Sequence, residues 1–158
     1  MMRTTAFLFG ARGLVVLGVA SALALAGCGG SGSNPPLCSP PNSGQTVLVY
    51  PAPNSTGIPD ALPEIIVAST VALTSSFDID VENDTLQATE PNYESVVPWP
   101  SSSPLPTPNA TPSFLNPIYQ QSQAQAGETL VAGSQITVFL NNVASNCNPS
   151  PLGSFTVQ

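Results

Sequence analysis

Short blocks in which apolar and polar residues alternate recur along the chain from Thr46 onwards and define its predicted elements. The clearest is "SFDIDVE" (76–82), where Phe77, Ile79 and Val81 alternate with acidic positions. A period of two is that of a strand with one buried and one wet face. "TVLVY" (46–50), "EIIVAS" (64–69), "SQITVFLNN" (134–142) and "GSFTVQ" (153–158) carry related strand signatures, separated by Pro-, Asn- and Gly-rich turns. A polar turn region, "VASNCNPSPL", parts the last two. "IYQQSQAQAG" (118–127) accommodates either a brief helical turn or an edge strand.

Between these blocks lies a tract from Thr85 to Thr129 that holds eight of the 18 prolines, including those of "SVVPWPSSSPLPTPNATPSF". Proline cannot donate to a strand ladder, so this tract is expected to supply edge strands and loops, with a Pro-rich insertion at about 91–117. No repeat of 20–50 residues is visible. Many short strands, turns about every ten residues and no long helical pattern predict an all-β chain, an antiparallel β-sandwich of about seven strands.

The amino-terminal part reads differently. Arg3 and Arg12 precede the uncharged run "GLVVLGVASALALAG", shorter than the roughly 20 apolar residues that span a bilayer. Basic residues, a short apolar core and small residues at its end form a secretory signal peptide over 1–27. The arginines are not adjacent, which favours the general secretory route. Residues 28–44, "CGGSGSNPPLCSPPNSG", cannot build a core and are expected to form a flexible tether to a domain at 45–158.

Leu25-Ala26-Gly27-Cys28 resembles the lipobox of bacterial lipoproteins. That resemblance implies cleavage before Cys28, acylation (palmitate or a similar chain) of its sulfur and amino terminus, and a membrane partner held through lipid in the bacterial cell envelope. Each buried methylene contributes about 0.8 kcal/mol, so two or three chains anchor durably. Gly29, rather than an Asp, follows the cysteine, which leans towards an outer membrane.

Removal of residues 1–27 removes both basic residues of the chain. Nine carboxylates then remain without any Lys, Arg or His. Such a chain forms no side-chain ion pair, and it is repelled by nucleic acid, whose recognition depends on cationic side chains. Without His or Lys there is no familiar base for a Ser or Cys nucleophile and no His for a zinc site, so no enzymatic activity is expected.

"YPAPNSTGIPDALPEIIVAS" resembles the opening of bacterial immunoglobulin-like domains of surface-layer and adhesin proteins, in which a Gly-Ile-Pro type turn leads into an apolar second strand. Residues 130–138 and 153–156 are similar to the last two strands of that family. Ile136 stands where the family often has a tyrosine that bonds back across a corner, so that corner needs another hold. A disulfide between Cys38 and Cys147 is expected to supply it, since the exported compartment is oxidising; two free thiols are the alternative. The resemblance implies a structural or adhesive module whose partner is an envelope protein or glycan.

Asp78, Asp80, Glu82 and Asp84 are the candidate metal ligands. On an ideal strand they form a row spaced about 6.6–6.8 Å apart, whereas calcium needs six to eight converging oxygens. A wet face and a calcium site, made if the chain bends at Asn83-Asp84 to bring in Glu90, are both open. Four carboxylates in a row also repel, with no basic residue to oppose them. Trp99, flanked by prolines, either covers a sheet edge or offers a ring for stacking on a sugar. The triplets at Asn54, Asn83 and Asn109 fit the N-glycosylation pattern by composition alone.

Overall fold

Two antiparallel sheets hold eight strands in a computed structural model that describes residues 34–84, 88–89, 93 and 96–158. The signal peptide, Cys28, the first part of the tether and Glu90 lie outside the described residues. The strands are β1 (Thr46–Tyr50), β2 (Glu64–Ser69), β3 (Phe77–Asn83), β4 (Ala88–Thr89), β5 (Val97–Pro98), β6 (Ile118–Gln123), β7 (Gln135–Asn142) and β8 (Ser150–Thr156). The first sheet runs β1-β2-β6-β5 and the second β4-β3-β7-β8. Lettered in chain order, this is ABED against C′CFG, the strand order of the immunoglobulin sandwich. Among the described residues there is no α-helix, only a 3-10 turn at Pro41–Ser43.

Alternation builds the core. Phe77, Ile79 and Val81 of β3 point inwards with Ile136, Val138 and Leu140 of β7 and Phe155 of β8. Leu48, Val67 and Ile65 meet them from the first sheet: a Cβ built on Gly153 would lie 3.4 Å from Leu48 Cδ2. Gly153 sits at a bulge, with φ of +152° and Pro53 packed where a side chain would be. The closing strand begins earlier than the sequence pattern indicates, at Ser150, within what reads as a polar turn.

β6 is a central strand, flanked by β2 and β5, not an edge or a helical turn. Its polar sequence is accommodated because Gln120 behaves like a piece of backbone. Gln120 Oε1 accepts from Leu73 N–H at 2.7 Å, and Nε2 donates to Leu73 C=O at 3.0 Å, so a buried amide is satisfied on both ends.

The Pro-rich tract does more than form loops. Trp99 N–H donates to Tyr119 C=O, on the β5 side of the first sheet, while Ala110 N–H donates to Val49 C=O on β1, at the opposite edge. The chain then returns to enter β6 at Ile118, beside Ser69 at the end of β2. The inner face is filled by the second sheet, and the crossing therefore runs over the outer face. There Ile66 and Ala68, in register one residue off the inward-facing Val67, are fully buried. Trp99, Leu105 and Phe114 pack against the buried cluster as part of this third layer.

The β1 and β8 edges are covered as well, which removes templates for pairing with other chains. Residues 108–110 lie along β1. On β8, Asn54 N–H donates to Ser154 C=O at 2.7 Å and Ile58 N–H to Thr156 C=O at 3.2 Å. The start of β8 is approached by the end of the expected tether: Cys38 N–H donates to Asn148 C=O at 2.7 Å and Asn148 N–H to Pro36 C=O at 2.8 Å. Cys38 is buried and bonded to Cys147 across 109 residues of sequence.

The disulfide is present, but not at the corner beside Ile136. Ile136 pairs with Asn83 and Phe155 at the end of the sandwich opposite Cys147. That corner is held by backbone and hydroxyl bonds instead: Val157 N–H to Ser134 C=O at 2.9 Å, and Ser134 Oγ–H to Val131 C=O at 2.6 Å.

Candidate functional site

The outer face of the second sheet carries the acidic row. Because Phe77, Ile79 and Val81 point inwards, Asp78, Asp80 and Glu82 point out, with Asp84 one residue beyond the buried Asn83. The neighbouring strand β7 presents Asn141, Phe139 and Thr137 directly opposite Asp78, Asp80 and Glu82. Proline follows on the far side: Pro151 of β8 pairs with Phe139, and Pro149 stands just before that strand.

The lack of any basic partner is met by neutral donors. Thr137 Oγ–H donates to Asp84 Oδ2 at 2.8 Å. The Asn141 side chain hydrogen-bonds Asp80, while Asn141 Oδ1 accepts from Asn142 N–H at 2.8 Å. Partial burial and, second, the charge of Asp78 nevertheless raise the Asp80 pKa from its ordinary value, against the lowering effect of Asn141. One oxygen of Asp78, Oδ1, is buried without a hydrogen-bond partner.

Asp80, Val81, Glu82, Phe139 and Pro149 line a depression of about 410 Å³ on this face. It combines a half-buried aromatic ring and a proline with two carboxylates, which suits a ligand having both apolar and hydrogen-bonding or cationic groups. The acidic row stays a row: among the described residues no three His, Cys, Asp or Glu side chains come together to hold a metal ion.

Trp99 lies elsewhere, half-buried in the layer over the first sheet, with Nε1–H donating to Ser103 C=O at 3.2 Å. It is therefore not brought together with the acidic row. Across the first sheet, Glu64 is raised by burial and Tyr50 by burial and then by the charge of Glu64. Sequence reasoning did not single out Phe139, Asn141, Thr137 or Pro149. The signal was the alternation of "SQITVFLNN", which puts Phe139, a large aromatic, on the wet face.

No protein-family model, no curated protein and no solved structure matches the chain.

Proposed function

We propose that this chain is a lipid-anchored cell-envelope protein whose sandwich acts without catalysis as a structural or adhesive binding module, through the outer face of its second sheet. The observation that carries this reading is the asymmetry of cover. In the first sheet β2 is buried on both faces and the β1 edge is occupied, whereas β3, β7 and β8 leave a broad strand surface open around Phe139. The anchor rests on Leu25-Ala26-Gly27-Cys28 behind a short apolar run.

Radiolabelled palmitate is expected to label the protein in a bacterial host and to be lost with Cys28→Ala; label that persists in that variant rules the anchor out. A photo-reactive residue placed at Phe139 in intact envelopes is expected to capture a partner that the same group at Val131 does not. Equal capture from both positions would refute the choice of face.

A further inference from the structure

The two ends of the sandwich differ in chemistry. At one end lie the segments 34–45, 70–76, 113–117 and 143–149, which join or precede β1, β3, β6 and β8 on the side where β2 and β7 finish. None of these segments contains a charged residue. At the opposite end lie Asp60, Glu64, Asp84 and Glu128; of the remaining described carboxylates, Asp80 and Glu82 are on the open sheet face, and Asp78 heads that row, one position into β3 from the uncharged end.

The uncharged end also displays apolar side chains. Leu115 is 89% exposed, Val143 65%, Leu37 59% and Ile118 38%. Two further large apolar residues are exposed elsewhere, Val97 on β5 and Val131 at the charged end. The tips at the uncharged end stand on braced backbone. Val143 N–H donates to Ser76 C=O at 3.0 Å, Leu37 bridges to Asn148, and the Cys38–Cys147 bond ties the two segments together.

The chain enters at this same end, at Asn34, six positions after Cys28. Six residues reach at most about 20 Å, so a lipid on Cys28 would keep this end within that distance of the bilayer. A membrane surface takes up apolar side chains at the boundary between headgroups and acyl chains, while an anionic leaflet repels carboxylates that have no cation beside them. Only the uncharged end meets both conditions. We infer that this end seats directly on the phospholipid surface, with Leu37, Leu115, Ile118 and Val143 entering the headgroup–acyl boundary. Docked so, the sandwich stands upright, with the carboxylate-bearing end pointing away from the lipid and the β3–β7–β8 face open to the side. The inference rests on the lipid anchor proposed above.

Full-length protein matured in a bacterial host and reconstituted in phosphatidylcholine vesicles with brominated acyl chains tests it. Leu115→Trp, Val143→Trp and, at the charged end, Thr129→Trp are compared with the parent, whose native Trp99 is the common background. All three positions are exposed, so the fold is retained. Bromine is expected to quench the added fluorescence at positions 115 and 143 at least about two-fold more than at 129. Equal quenching at all three, in protein whose amino-terminal fragment carries acyl mass, overturns the docking and leaves the anchor standing. A fragment without acyl mass overturns both. Shielding of positions 115 and 143 that depends on protein concentration in vesicle-free buffer assigns this end to a second copy and overturns the docking.

Discussion

The two sheets are built from similar strands yet differ in what their outer faces meet. On the first, Ile66 and Ala68 are fully buried under a Pro-rich layer that crosses from β5 to β1. On the second, Asp80 and Phe139 face solvent, with carboxylates balanced by amide and hydroxyl donors in place of cations. A two-faced apolar sheet is a scaffold, and a one-faced sheet is free to touch something else. The difference locates contact chemistry on β3, β7 and β8.

The strongest way to break this comparison is to put a charge on each outer face. Ile66→Asp buries an uncompensated carboxylate beneath the third layer and is expected to abolish cooperative folding, whereas Gln135→Asp on the open face leaves the far-ultraviolet spectrum unchanged. If circular dichroism shows Ile66→Asp folded with a normal thermal transition, the layer does not seal the sheet.

Removing the disulfide comes next. The Cys38→Ala/Cys147→Ala double variant opens a loop of 109 residues, and the chain-entropy relation expects a loss of about 4–5 kcal/mol in urea unfolding. This loss falls on the segment along β8, so hydrogen exchange is expected to rise first at residues 36–38 and 147–149.

Truncating one apolar side chain on each face sharpens the contrast. Ile66→Ala is expected to cost about 2–5 kcal/mol, as for other buried large-to-small changes, and Phe139→Ala less than about 1 kcal/mol. Similar losses at the two positions, read from denaturant midpoints, would mean that the open face is sealed too.

Acid sharpens it further. The Asp80 and Glu64 carboxyls have raised pKa values in the folded chain. The folded state thus binds these protons more tightly than the unfolded state, so the stabilisation is fully present below the ordinary carboxylate pKa and is lost as pH rises through the raised values. The melting temperature is expected to rise by a few degrees from pH 7 down towards pH 4, and Asp80→Asn to raise it at pH 7 while flattening that slope. A melting temperature that falls steadily over this range would overturn the assignment. The smallest expected effect is that of calcium: carboxylates held in a row do not converge, and millimolar calcium is expected to move the melting temperature by no more than about 1 °C.

Much of the sandwich was legible because its information is local. Phe77, Ile79 and Val81 alternate with acids, and that alone sets which side of β3 is buried. Thr46–Tyr50 and Glu64–Ser69 were legible to the residue. β6 was not, since "IYQQSQ" lacks an apolar alternation; its central place depends on Leu73, 47 residues away, satisfying Gln120. The candidate site was half legible. The acidic row could be read from β3, but Phe139 and Asn141 join it only through the β3–β7 register.

The sequence by itself determined the strand blocks, the confinement of the prolines away from the central ladders, the uncharged junction after the apolar run and the absence of any cation beyond Arg12. These follow from side-chain period, from the missing proline N–H and from composition, all of which act over a few residues. Only the tertiary structure decided that the Pro-rich tract covers the first sheet, that the disulfide clamps the end opposite Ile136, and that Leu37, Leu115, Ile118 and Val143 gather at one uncharged end. Each of those outcomes depends on contacts between segments distant in the chain, where burial and hydrogen-bond satisfaction are settled by the packing of the whole domain.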